Sequence, residues 1–207
     1  MHEETLSKDT GIVLEKLVDV ARPFYLAGGT ALALQFGHRI SVDLDFFILE
    51  LFDVKKLIND LSKVGNLEIE DESDITFNGS LDGVKISFFK YNYPLLFETK
   101  DFKGVKLADE RDIGAMKIEA ISNRGSKKDF VDMYVLLKKY SFEEILGFFH
   151  DKYKEFNYNT IHILKSLTYF FNADESSEPE MLIPDNWNDM KKYINKTINN
   201  YLDSKKN

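Results

Sequence analysis

Gly28-Gly29-Thr30-Ala31-Leu32-Ala33-Leu34, followed closely by His38-Arg39-Ile40-Ser41-Val42-Asp43-Leu44-Asp45-Phe46-Phe47, is the stretch on which the reading of this 207-residue chain turns. The apolar run Phe24 to Ala27 stops at the glycine pair, as a strand entering a tight turn would. Thr30 is placed to cap a helix over Ala31 to Phe36, and Gly37 to close it. Val42 to Ile48 alternates and then becomes continuously apolar, which predicts a strand buried at one end. On a strand, residues i and i+2 share a face, so Asp43 and Asp45 project side by side with Leu44 turned the other way. Hard divalent cations take oxygen ligands, and Mg²⁺ at a phosphate site uses one or two carboxylates plus substrate oxygens. Gly28 and Gly29 let the backbone approach a phosphate, and the helix start offers unpaired N–H groups. Either half of this arrangement is common alone. Together, and against the apolar Phe46-Phe47, two acids would be costly without a cation.

Outward from this stretch, helical spacing covers Leu6 to Arg22, ended by Pro23, and Val54 to Val64. Extended pieces follow at Leu67 to Glu70, Ile75 to Phe77 and Val84 to Tyr91, the last two joined by a turn at Asp82-Gly83, with a short strand expected at Lys103 to Leu107. After Ala108 the pattern is helical: Ile113 to Ser122, Lys128 to Lys139, Phe142 to Tyr153, Thr160 to Phe171 and Trp187 to Tyr201. Asn172 to Pro184 reads as a loop, and Ser204 to Asn207 as a fraying tail. The expectation is an α+β protein: an α/β lobe with a mixed sheet over 1–107 and a helical lobe over 108–207, packed around an active-site cleft.

Composition limits the function classes. Without cysteine there can be no disulfide, thiolate metal site or Cys nucleophile. The start lacks the basic-then-apolar run of a signal peptide, and no apolar stretch approaches a membrane span, so the expected location is the cytoplasm, away from membranes. A net charge of −8 argues against a broad grip on nucleic acid. Lys100, Lys103, Lys106, Lys117, Arg124, Lys127 and Lys128 form either a local basic patch or scattered solvated charges. The surplus of Phe and Tyr reads as core packing rather than a platform for bases. The histidines show no metal-ligand spacing.

A second cluster lies downstream. Lys117, Ile121 and Arg124 share a helical face, which gathers two cations suited to a triphosphate, although a surface helix with two solvated basic residues has the same pattern. Asp129 and Asp132 stand one turn apart at the next helix start. Arg39 can reach a phosphate or pair with Asp43 or Asp45, and Ser41 shares their face.

The Gly28 to Phe47 segment, with Asp112-Ile-Gly-Ala-Met-Lys117-Ile-Glu-Ala, Arg124 and Lys127-Lys-Asp129-Phe-Val-Asp132, resembles the nucleotidyltransferase toxins of the AbiE phage-exclusion type (AbiEii) in the polymerase-beta-like superfamily. The resemblance implies a Mg²⁺-dependent transfer of a nucleotide from a nucleoside triphosphate to an acceptor hydroxyl, with a tRNA 3′ end as one acceptor and a cognate antitoxin as partner. It makes Asp43 and Asp45 metal ligands. Gly28, Gly29, Thr30, Arg39, Ser41, Lys117 and Arg124 become nucleotide-binding residues, with Lys117 and Asp129 also catalytic and Asp132 supporting. There is one departure: many superfamily members carry a third carboxylate on a later strand, whereas Val84 to Tyr91 holds none and Asp82 sits in the preceding turn. That gap and the acidic charge keep a non-catalytic interaction protein open as an alternative. An antibiotic nucleotidyltransferase of aminoglycoside type shares the first motif but not the second.

Overall fold

The computed structural model describes residues 1–205, which divide into two compact units, Met1–Asp109 and Glu110–Asn207. The first contains helices α1 (Lys8–Leu17), α2 (Gly28–Phe36) and α3 (Val54–Leu61) and strands β1 (Tyr25–Ala27), β2 (Leu44–Ile48), β3 (Leu67–Ser73), β4 (Thr76–Leu81), β5 (Val84–Lys90), β6 (Lys100–Phe102) and β7 (Val105–Leu107). All seven strands join one mixed sheet in the order β3-β4-β5-β2-β1-β7-β6. β2 lies inside it, antiparallel to β1 and parallel to β5, so the strand that carries Asp45 is paired on both edges. Leu44 and Phe46 point into the core at 0% exposure, and Phe46 stacks on Phe88 at 4.8 Å. Phe24 and Phe77 close around the same Phe88 ring, so these aromatics are core, as their abundance suggested.

Several elements differ from their sequence patterns. The helix after the glycine pair starts at Gly28 rather than Ala31. Ala27 is its N-cap, and Thr30, already inside the helix, uses its hydroxyl elsewhere. β3 runs on to Ser73 through Glu70-Asp71-Glu72, an edge strand whose exposed acids hide the alternation while discouraging edge-to-edge pairing. Lys103 is not in a strand: with Gly104 it forms a turn at positive φ that joins β6 to β7. Asp82-Gly83 is likewise a turn with both φ positive, as the sequence indicated.

The second unit is helical: α4 (Glu110–Asn123), α5 (Lys127–Lys139), α6 (Phe142–Lys152), α7 (Thr160–Ser166), α8 (Phe171–Glu175) and α9 (Trp187–Ser204). Ile113, Ile118, Phe130, Met133, Leu136 and Ile145 form its fully buried centre. Inside it Lys152 donates to Asp112 at 2.8 Å with both side chains at 0% exposure. Where one helix was expected over Thr160 to Phe171, the chain breaks at Leu167–Phe170. The hydroxyls of Ser166 and Thr168 bond back to carbonyls of the preceding turn, and Phe170 drops against Phe130 at 4.7 Å and Trp187 at 5.8 Å. That packing outweighs continuing the helix. Ser204 still belongs to α9, and the last residues of the tail expected to fray, 206–207, lie outside the described residues.

Candidate active site

In the first unit the residues singled out around the glycine turn come together. The β1–β2 register sets Asp45 opposite Ala27, the residue before the turn. Gly28 has φ +68°, and a side chain on it would lie 3.2 Å from Asp45 Oδ2. A methyl on Gly29 would meet Arg39 Nη2 at 2.2 Å and Ser41 Oγ at 3.4 Å. The guanidinium therefore lies directly over the turn, with Nη1 donating to the Ile40 carbonyl at 3.1 Å. Thr30 Oγ1 bonds the Asp43 carbonyl and shares a hydrogen bond with Ser41 Oγ at 2.8 Å, which ties the helix start to the chain entering β2. Asp43 itself precedes β2, and its position depends on this hydroxyl bridge as well as on the strand. Arg39 and Ser41 are buried, while Asp43 and Asp45 are half-buried. A hollow of about 380 Å³ beside Asp43 is lined by Thr10, Val42, Asp82 and Lys85 among others.

Asp82 is held by Lys16 at 2.7 Å and by the Asn66 N–H at 2.9 Å, so it serves the turn it stands in. The residue paired with Asp45 on β5 is Ser87, which is 3% exposed. Among the described residues, no group of three or more Asp, Glu, His or Cys is arranged to hold a metal. Asp43, Asp45 and Ser41 offer hard oxygens, which suit Mg²⁺ if substrate and water oxygens complete its shell.

Gly28→Ala is expected to lose about 1–2 kcal/mol, because alanine is strained at positive φ and its methyl crowds the Asp45 carboxylate. Urea denaturation of the variant beside wild type measures this; unchanged stability would mean that the turn tolerates a side chain.

The second unit gathers Lys117, Arg124, Asp129 and Asp132. Lys117 Nζ lies 3.0 Å from Asp129 and 2.5 Å from Asp132, with all three side chains at 4% exposure or less. Arg124 meets Asp129 in a fork, Nε to Oδ2 and Nη2 to Oδ1, each at 2.8 Å, and its own side chain is 60% exposed. Ser126, not singled out in the sequence, donates to Asp129 Oδ2 at 2.6 Å. Its signal was present as a Ser-x-x-Asp helix start, Ser126-Lys-Lys-Asp129. In this arrangement Lys117 holds two carboxylates together, and Asp129 fixes the plane of the Arg124 guanidinium. The other midchain lysines are also matched locally. Lys100 pairs with Asp109, Lys103 with Glu3 and Lys127 with Glu178, so these three and Lys117 add little net positive field.

Burial pushes the Asp129 carboxyl up, but Lys117, Arg124 and Ser126 more than offset this and hold it well below the usual carboxylate range. Below about pH 4 the unfolded chain therefore takes up a proton at this position that the folded chain resists, and stability is lost as pH falls. Asp129→Asn should flatten the fall in stability between about pH 5 and about pH 2. An equally steep acid limb in the variant, followed by circular dichroism, would assign that loss to other acids.

A strand–Gly-Gly–helix unit in a mixed sheet, with Asp45 on the returning strand and Asp43 just before it, defines a nucleotidyltransferase fold. Solved structures agree: the chain is similar to JHP933 from Helicobacter pylori (TM-score 0.53, 17% identity, 96% of this chain and 97% of that one). It is also similar to MenT4, the nucleotidyltransferase toxin Rv2826c of Mycobacterium tuberculosis H37Rv (TM-score 0.57, 11% identity, 90% and 82%). At such identities the likeness is one of fold. Residues 12–95 match the family described as nucleotidyl transferase AbiEii toxin, type IV TA system, and the chain belongs to that family. Nearly the whole length is shared with a curated relative, the uncharacterized protein aq_aa25 of Aquifex aeolicus (strain VF5), at 37% identity over 210 residues, 96% of this chain and 98% of that protein. The family assignment makes the chain a nucleotidyltransferase, with a nucleoside triphosphate as substrate and an antitoxin as counterpart. Among the described residues, no helix is long and apolar enough to cross a membrane.

Proposed function

We propose that this protein transfers a nucleotide from a nucleoside triphosphate to the 3′-hydroxyl of an RNA, with tRNA as the acceptor, in a Mg²⁺-dependent reaction. The observation that carries this reading is the placement of the Asp45 carboxylate against the Gly28-Gly29 turn, with the Asp43 backbone carbonyl tied to Thr30. Asp43 and Asp45 hold the metal, which when bound offsets phosphate charge and favours departure of pyrophosphate. Gly28 and Gly29 admit the phosphates to backbone N–H groups at the start of α2, which has no side-chain cap competing for them. Arg39, lying over Gly29, supplies positive charge there, and Thr30 and Ser41 keep the turn and the acids in register. The acceptor hydroxyl oxygen bonds to the α-phosphorus as the bond to the leaving pyrophosphate breaks, and its proton passes to solvent water. In the second unit Arg124 is the phosphate-binding cation. Lys117, Asp129 and Asp132 act as positioning residues, as their burial and mutual pairing favour.

The physiological setting that follows is a cytoplasmic toxin of a phage-defence system, silenced by its antitoxin. The test is incubation of the protein with each α-labelled nucleoside triphosphate, Mg²⁺ and total RNA. Label is expected in the tRNA fraction with one preferred nucleotide. Label in a small molecule such as an aminoglycoside would replace RNA as the acceptor. Absence of transfer and of Mg²⁺–nucleotide binding would favour the interaction-protein alternative.

A further inference from the structure

The second unit contains a cavity of about 480 Å³ where the end of α4 meets α7 and α8. Arg124, His162, Lys165, Ser166, Tyr169 and Asn172 are among its lining residues, and no acid is, in a chain whose net charge is −8. Its walls are tied together. Ser122 and Ser166 share a hydrogen bond at 3.1 Å, and Asn172 Nδ2 donates to the Arg124 carbonyl at 3.2 Å. The Arg124 guanidinium at the cavity's edge is oriented by its fork with Asp129.

The rim carries an unusual feature. Tyr169 is 62% exposed, and Phe171, 56% exposed, stacks beside it with ring centroids 6.2 Å apart and planes 23° from parallel. Phe46, Phe77, Phe88 and Phe130 are fully buried in the core, whereas these two, like Phe156, stand in solvent. An exposed aromatic surface beside an arginine and a lysine is the combination that receives unpaired nucleotides, the base stacking on the ring and the phosphate meeting the cation.

We propose that this cavity binds an unpaired nucleotide of an RNA strand. The base lies on Tyr169, with Phe171 extending the surface, and the backbone phosphate is held by Lys165. The proposal rests on the reading that RNA is the acceptor, and it names a place on the second unit where that RNA is gripped.

The experiment uses the full chain and a single-stranded RNA oligonucleotide carrying 2-aminopurine, with binding and fluorescence quenching measured together. Wild type and Tyr169→Phe should quench the probe. Tyr169→Ala should bind about tenfold more weakly and lose the quenching. Lys165→Ala should reduce the slope of log affinity against log salt by about 0.7, the amount expected for one phosphate contact on a single strand. Both side chains are exposed, so the variants should fold, and matching urea midpoints would establish that they do. Asp45→Asn should bind the probe as wild type does while transferring no label. Unchanged affinity and quenching in the Tyr169→Ala/Lys165→Ala double variant would overturn the cavity assignment. If that variant also labels RNA normally, the proposed reaction stands without the cavity. If wild type neither binds nor labels RNA, the reading of RNA as acceptor fails with it.

Discussion

Asp45→Asn is expected to lower nucleotide transfer by at least about a thousandfold, some 4 kcal/mol of transition-state stabilisation, measured under single-turnover conditions with saturating Mg²⁺ and labelled nucleoside triphosphate. Asparagine keeps the size of the side chain and the β2 ladder, so the Ala27↔Asp45 register and the core around Phe46 should persist. What is lost is charge. With Ser87 beside Asp45 on β5, the proposed metal site has two carboxylates, and removing one should weaken metal affinity more than it would in a three-acid site. At Mg²⁺ that saturates wild type but not the variant, raising Mg²⁺ further should recover part of the variant's rate. Asp43→Asn should behave similarly, and Ser41→Ala, which removes only a hydroxyl, should cost about tenfold. An Asp45→Asn protein that retained a tenth of the wild-type rate would remove this carboxylate from the chemistry.

Lys117→Met should cost about 3–5 kcal/mol of folding stability, because it leaves Asp129 and Asp132 buried without the ammonium between them. Urea denaturation by circular dichroism measures the loss. Adding Asp132→Asn to Lys117→Met should recover part of it, since the second substitution removes one uncompensated charge; the double-mutant cycle isolates that coupling. Lys205→Ala, which breaks an exposed pair with Glu143, provides the contrast and should leave the midpoint where it is. A Lys117→Met protein within about 1 kcal/mol of wild type would show that the cluster is not structural and that Lys117 is available to a ligand.

These two experiments separate the parts of the molecule that were legible in different degrees. The Gly28 to Asp45 stretch was legible because each step has a local cause. A glycine pair ends an apolar run, the alternation before Phe46 predicts a strand, and Gly37 stops the helix at φ +69°. The role of Thr30 was not legible, because a threonine near a helix start is a cap by local rules. Only the return of the chain through Ser41 and Asp43 gives its hydroxyl a better partner. β6 is three residues long and is a strand solely because β7 turns back beside it. The helix expected over Thr160 to Phe171 breaks because Phe170 finds Phe130 and Trp187, which are distant in sequence.

The same division holds for the charged residues. The spacing put Lys117 and Arg124 on one helical face and Asp129 and Asp132 one turn apart on the next, since helical geometry is periodic and local; only the packing of α4 on α5 brings the two pairs together. It could not tell their exposure. Burial decides that Lys117 is enclosed between carboxylates while Arg124 reaches solvent, and burial depends on which helices pack over α4 and α5. Sequence alone determined the fold class, the glycine turn and the paired carboxylates, because those follow from backbone conformation and side-chain period. Tertiary structure alone decided that Ser87 stands beside Asp45, that Ser126 braces Asp129, and that Tyr169 and Phe171 are left on the surface beside a basic cavity. Each of those depends on contacts between residues that the chain brings together only when it folds.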